Sequence, residues 1–280
     1  MSIKMYRQKS KLYGLIVILG VLLTTLGLAG CSNKQAAVAD KKEITVGVSP
    51  TFKDMAGIIK KEFDKDGYTL NIKVFDDNVL PNVSLQEGSV DINFFQHGIY
   101  LEQFNKNKGT NLIAYDSNGV IKYFMGIYSN KIKSLSELKD GDKVSIPNDP
   151  SNRARALKML AGNGLIKLKD GVDIPNKLDI VENSRNLDLV EMDVLKIVPS
   201  INDVQAACVN SIIAVQGGID PKAVLGVEDD KESQRYAIVV AVKKDLGNEK
   251  YAEQFTKALK TESFRKFLEE KYKGAIIPLF

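Results

Sequence analysis

Apolar and polar positions along this chain follow two rhythms, one with the period of a strand and one with that of a helix. Ile44-Thr45-Val46-Gly47-Val48 is a short β-rich run that Ser49-Pro50 stops. Over residues 52–65 the apolar positions Met55, Ile58, Ile59 and Phe63 recur at helical spacing until Asp66-Gly67 breaks the pattern. Residues 68–75 alternate as a strand. Residues 79–88 predict a helix closed by glycine, the residue best suited to the left-handed position after a helix. A strand over 90–95, a helix over 100–108 and a strand over 112–115 continue the series. This β-α-β-α order implies a mostly parallel sheet with helices on its faces. Residues 123–128 predict a strand that leaves the first lobe. A second α/β set follows, with strands at 143–146, 178–181, 187–190 and 206–209 and a helix at 152–161. The β-branched run 236–242 has the character of a buried strand. Two charged helices at 249–259 and 263–272 close the pattern, with apolar stripes at Phe255, Leu259, Phe264, Phe267 and Leu268.

The first thirty residues obey neither rhythm. Lys4, Arg7, Lys9 and Lys11 precede an apolar run over 12–28, which ends in Leu28-Ala29-Gly30-Cys31. A basic start, an apolar middle and small residues before a cleavage point describe a secretory signal. The run falls just short of the ~20 apolar residues a spanning helix needs. A plain secretory signal has no use for the Cys. The Leu-Ala-Gly-Cys sequence resembles the lipobox of bacterial lipoproteins, which implies that Cys31 carries a diacylglycerol. Two acyl chains suffice for stable anchoring. The chain is then expected at the extracytoplasmic face of the cell membrane. A plain signal with a chance Cys is the alternative. Residues 1–30 are read as the signal peptide and the polar, small-residue stretch 31–42 as a flexible tether.

Removing the signal changes the charge balance. Four of the 39 basic residues precede Cys31 and none of the 35 acidic ones does, so the formal +4 of the whole chain belongs to the signal. The remainder is formally neutral, with no basic stripe of the kind nucleic acid requires. With Cys31 lipidated, Cys208 is alone and an internal disulfide is excluded. The fold must then rest on its apolar core. About 250 of the 280 residues follow the signal. Such a length suits two lobes of roughly 100–150 residues each. We place lobe 1 at 43–120 with 237–280, and lobe 2 at 121–236.

In open α/β sheets, ligands bind beyond the carboxyl ends of strands and beside helix N-termini. Three segments qualify. Asp91–Tyr100 lies where a strand becomes a helix and holds the only His, His97, with Phe94, Phe95 and Tyr100. A satisfied structural His among core aromatics is the competing reading. In Ile146-Pro147-Asn148-Asp149-Pro150-Ser151-Asn152-Arg153-Ala154-Arg155 a strand gives way to a capped helix. Its free N–H groups favour an anion, and an early Arg adds a bidentate partner for a carboxylate. A cap with two solvated arginines competes. Asn210 ends the small apolar strand 206–209, where a turn or cap role is as reasonable as ligand contact. Catalysis has little support. One His offers no metal cluster, no G-x-S-x-G elbow or phosphate-cradling loop occurs, and Cys208 sits in an apolar run that favours an inert thiol. No cofactor and no metal are expected.

Several of these stretches occur together, in order, in one known family. Val79-Leu80-Pro81-Asn82, Asn93-Phe94-Phe95-Gln96-His97 with Tyr100-Leu101-Glu102-Gln103, Ile146-Pro147-Asn148-Asp149-Pro150, Leu165-Ile166-Lys167-Leu168-Lys169-Asp170-Gly171, Asp179-Ile180-Val181-Glu182-Asn183 and Glu270-Lys271-Tyr272-Lys273-Gly274-Ala275 resemble the NlpA lipoproteins, the methionine-binding lipoproteins of ABC importers. The resemblance runs over 43–280 and includes the lipobox. It implies a two-lobed, type 2 periplasmic-binding-protein-like α/β fold, with a ligand cleft between lobes joined by two crossing strands. It implies that Phe95, His97 and Tyr100 line one side of the cleft. Arg155 would take the ligand carboxylate from the other lobe, with Asn210 nearby. It also implies a monomer that meets an ABC permease in the membrane. The chain departs from the family at Asn78, expected to meet the ligand at a place where an aromatic is usual, at Ile213, where a Tyr is frequent, and near Ala237, where many members carry Asn. The expected ligand is therefore a small amino-acid-like molecule, with methionine leading and another amino acid or a dipeptide as alternatives. A non-transport envelope lipoprotein and an enzyme on the same scaffold are the readings from other classes.

Overall fold

The computed structural model describes residues 41–244 and 247–280. Cys31 and the signal segment lie outside the described residues. In chain order the strands are β1 (Glu43–Val48), β2 (Thr69–Val74), β3 (Ile92–His97), β4 (Leu112–Ala114), β5 (Ile121–Tyr123), β6 (Met125–Tyr128), β7 (Lys143–Pro147), β8 (Lys167–Leu168), β9 (Ile180–Glu182), β10 (Asp188–Met192), β11 (Ala206–Asn210), β12 (Gly226–Val227), β13 (Ile238–Lys243) and β14 (Ile276–Pro278). The helices are α1 (Lys53–Phe63), α2 (Leu80–Glu87), α3 (Gly98–Lys108), α4 (Pro150–Gly162), α5 (Ser211–Gln216), α6 (Asp230–Gln234), α7 (Glu249–Leu259) and α8 (Glu262–Tyr272).

Two main sheets organise these elements. The first has seven strands in the order β14-β5-β13-β3-β1-β2, with β4 also paired to β13; the second has five in the order β10-β7-β11-β6-β12. Strands β1, β2 and β3 pair in parallel, as the sequence pattern implied. The first sheet is nonetheless mixed, because β13 runs antiparallel to β3, β4 and β5. The chain reaches β13 only after returning from the second sheet, and a fully buried apolar strand carries the same pattern in either direction. The strand expected over 123–128 is two strands. Ile121–Tyr123 pairs within the first sheet and Met125–Tyr128 within the second. The chain thus changes sheets at Phe124, past the lobe boundary expected at residue 121, and returns through 228–237. Leu178, expected in a strand, lies in the 3-10 turn Lys177–Asp179, which Asn176 and Asp179 close as a capping box.

Each sheet has its own core. In the first, the stripes of α1, α7 and α8 bury Ile59, Phe63, Phe255, Leu259, Phe264 and Leu268. Phe94 of β3 meets Phe52 and Phe255 edge-on, at 5.3 and 5.5 Å between ring centres. Each such side chain contributes about 1.5–3 kcal/mol by leaving water. In the second, α4 buries Ala156, Leu157, Met159 and Leu160 against β6, β7 and β11. Cys208 of β11 is free and fully buried, and burial pushes its thiol pKa up.

A knot of amides ties α2 to the first sheet. Asn82 of α2 donates to Gln96 Oε1 and accepts from Gln96 Nε2, both at 2.7 Å, and also accepts from Asn93 Nδ2 at 3.0 Å. All three side chains are buried. Only glycine fits opposite the knot. A Cβ on Gly47 would lie 2.3 Å from Asn93 Oδ1. The start of α2 is thereby tied to β3, which sets Asn78 above the residues that end β3.

Candidate functional site

The cleft lies where β1, β3, β7 and β11 end and helical turns begin. Ser49 precedes the 3-10 turn Pro50–Phe52, His97 caps α3, Asp149 caps α4 and Asn210 precedes α5. Each cap follows from local chemistry. His97 Nδ1 accepts from the Tyr100 N–H at 3.0 Å, and Asp149 Oδ1 accepts from the Asn152 N–H at 2.9 Å, with Pro150 at the first helical position. Helix N-termini from both lobes therefore face one space, which favours the negative end of a ligand.

That space is a small cavity of about 30 Å³. Its walls are formed by Ser49, Thr51, Phe52, Asn78, Phe95, Gln96, His97, Tyr100, Tyr123, Asn152, Val194, Leu195, Asn210, Ile212 and Ile213. Five of the six residues expected to bind ligand, Asn78, Phe95, His97, Tyr100 and Asn210, thus meet around one cavity. Of the three positions that depart from the family, Asn78 and Ile213 are in the wall and Ala237 is not. The sequence reading missed Ser49, which it took only as the stop of a strand, and Thr51. It also missed Asn152, Tyr123 and the pair Val194-Leu195. Ser49 and Asn152 carried the same signal as His97, a polar residue at a strand-to-helix junction.

Arg155 sits differently from the expectation. It does not line the cavity. Its guanidinium is fully buried on the segments that join the lobes, paired side-on with Glu228. Nε donates to Glu228 Oε2 at 2.8 Å, and Nη2 donates to Glu228 Oε1 at 2.6 Å and to the Tyr123 carbonyl at 2.7 Å. Two faces of the fork are thus occupied, which leaves Nη1 as a buried donor without a partner among the described residues. Burial lowers the Arg155 pKa, and the Glu228 carboxylate more than offsets this, so the charge stays in place.

A column of rings connects this pair to the cavity wall. Arg155 lies 4.3 Å from the Tyr236 ring centre, Tyr236 lies 4.9 Å from His97 at a T-shaped angle, and His97 lies 6.2 Å from Tyr100. The Tyr100 hydroxyl donates to the Asn78 carbonyl at 2.8 Å and so closes the wall. Burial, and then the Arg155 charge, hold the His97 pKa down to about 3; Asn152 alongside works in the opposite sense but makes no hydrogen bond of good geometry with it. The ring is therefore neutral. Since Nδ1 accepts, the proton is assigned to Nε2. Nε2–H is buried with no hydrogen-bond partner among the described residues, as are the Asn152 and Asn210 Oδ1 atoms and the Tyr236 hydroxyl. The Asn152 amide is oriented by Asp149, to which Nδ2 donates at 3.0 Å, so its oxygen is the free end. Burial raises the Tyr100 pKa, and Asp149, Asp77 and Asp193 add to the rise.

The comparisons with known proteins agree on one family. Residues 44–280 match the family model described as NlpA lipoprotein. The D-methionine-binding lipoprotein MetQ of Salmonella typhi is 36% identical over 263 residues, covering 92% of this chain and 95% of its own. A periplasmic substrate-binding protein of an ABC transporter from Coxiella burnetii is 33% identical, with a TM-score of 0.78 over 84% of this chain and 99% of its own. A nutrient-binding protein from Burkholderia cenocepacia, solved bound to methionine, is 31% identical, with a TM-score of 0.78 over 85% of this chain and 100% of its own. With its two sheets meeting at a cleft of helix N-termini and the match spanning both, the chain belongs to the NlpA lipoprotein family.

Proposed function

We propose that this substrate-binding lipoprotein of an ABC importer takes methionine or a closely related neutral amino acid into the cleft and presents it to the permease. One observation carries the ligand class. Buried donors and acceptors without partners among the described residues gather at a cavity whose described wall holds no charged side chain. Unmade bonds of this kind cost roughly 1–3 kcal/mol each, so the geometry favours a guest that satisfies them. His97 Nε2–H suits a carboxylate. The Asn152 and Asn210 oxygens suit an ammonium. Phe52, Phe95, Leu195 and Ile212 suit an apolar side chain. The Arg155 charge is already balanced by Glu228, so a zwitterion fits and a net anion does not. The relatives named for methionine support the same class. Contacts from both lobes to one ligand would give the closed form its higher affinity, which a transporter requires.

Titration of the full chain, purified in detergent, with L-methionine is expected to release or absorb heat with one-site stoichiometry and to raise the Tm. D-methionine, other neutral amino acids and methionine-containing dipeptides form the panel, because Asn78 and Ile213 alter the wall. No heat and no Tm shift from any member would end the importer reading and favour a non-transport envelope lipoprotein. For the anchor, the wild-type protein is expected to incorporate labelled palmitate in cells and Cys31→Ser to lose the label. Equal labelling of the serine variant would refute lipidation at Cys31.

A further inference from the structure

We propose that Glu228 is the positioning residue of this cleft, holding Arg155 on the two segments that join the lobes so that ligand contact and hinge geometry are set by one buried node. The inference rests on the amino-acid reading of the cleft and deepens it. Glu228 does not touch the cavity. It follows β12, on the segment by which the chain returns to the first sheet. Its backbone N–H donates to the Met125 carbonyl at 3.2 Å, and its Oε1 accepts from the Met125 N–H at 2.7 Å. The outgoing and returning segments are thus joined through one residue on each.

The same carboxylate fixes Arg155. Side-chain exposure is 0% for Arg155 and 2% for Glu228. A buried charge without a partner is far costlier than a pair, so neither side chain swings away while the other stays. The guanidinium is planar, and with Nε and Nη2 committed to Glu228 and Nη2 also to the Tyr123 carbonyl, the direction of Nη1 is set. Tyr123 lines the cavity and belongs to the outgoing segment. A ligand that touches Tyr123 therefore acts on a node that includes both crossings. The neighbouring tie between Lys122 and Asp230 spans the same two segments, but Asp230 is largely exposed and its pairing correspondingly weak.

The test compares wild type, Glu228→Gln and Glu228→Asp as full chains in detergent. It uses L-methionine as the probe or, if that gives no heat, the panel member that most raises the wild-type Tm. In wild type, the probe is expected to slow hydrogen exchange in peptides covering 121–128 and 225–237 as well as at the cleft helices. In Glu228→Gln, Kd is expected to rise at least tenfold and the protection of those two peptides to vanish, while protection at α3 persists under saturating probe. A variant with lower Tm but unchanged Kd and unchanged hinge protection would show a merely structural ion pair and overturn the inference alone. If Glu228→Gln does not fold, Glu228→Asp decides. It keeps the charge but withdraws it from the node, so a Kd at least threefold weaker with reduced hinge protection supports the inference, and wild-type values overturn it. Failure of every probe on the wild type overturns the ligand reading, and this inference with it.

Discussion

Arg155→Ala lowers the unfolding free energy of the ligand-free protein by about 3–5 kcal/mol, the range for removing one partner of a buried ion pair. The expectation follows from what the truncation leaves behind. Glu228 would keep only the Met125 N–H, and the Tyr123 carbonyl would lose its donor. Both groups are buried, and the void left by the guanidinium sits between the rings of Tyr123 and Tyr236. The loss is large against the roughly 5–15 kcal/mol that typical domains possess. Urea unfolding without ligand, followed by circular dichroism, measures it. A loss under about 1 kcal/mol would mean that Glu228 is satisfied elsewhere and that the pair does not hold the hinge. Arg155→Lys is expected to recover only part of the loss, because an ammonium does not reproduce the side-on fork. An affinity measured on Arg155→Ala alone therefore mixes a lost ligand contact with a loosened hinge.

That Arg155 pairs with Glu228 and the Tyr123 carbonyl was not legible in the chain. Its place in a capped helix after Ile146-Pro147 marks a site, and the strand-end rule draws attention to it correctly. Its partner is 73 residues away, in the run Glu228-Asp229-Asp230. No periodicity tells which of three successive acids turns inward. The residues that were legible share a property. Phe95, His97, Tyr100 and Asn210 each lie at a strand-to-helix junction, where a polar or aromatic residue interrupts an apolar rhythm. Asn78, Ile213 and Ala237 came instead from departures from the family pattern, and the cavity wall separates the first two from the third. The helices were read well because their apolar stripes are one-sided, as in α7 and α8. Strand direction was not, since β13 is apolar on both faces. The break at Phe124 was hidden for a related reason: β5 and β6 are both buried throughout, and residues 123–128 show no polar interruption at the change of sheet.

Acid should act on this fold through His97. In the unfolded chain the imidazole titrates near 6.5, and in the folded one it is held down to about 3, first by burial and then by the Arg155 charge. A folded pKa below the unfolded one means that the unfolded chain takes up the proton first. The contribution to stability is therefore complete above about pH 6.5 and is lost as the pH falls from there toward 3. At pH 4 the loss from this residue alone amounts to about 3 kcal/mol. His97→Asn isolates it, because Asn is a favoured N-cap and keeps an acceptor for the Tyr100 N–H without a titrating ring. Between about pH 7 and pH 4 the wild type is expected to lose about 3 kcal/mol more than His97→Asn in ligand-free urea unfolding. Parallel pH curves for the two proteins would show that the folded protein takes up the proton at an ordinary pKa. Ligand binding should behave differently from stability. Between about pH 5 and 8 the folded His97 stays neutral and keeps its Nε2–H, so the affinity for a zwitterion is expected to remain flat where the stability already declines.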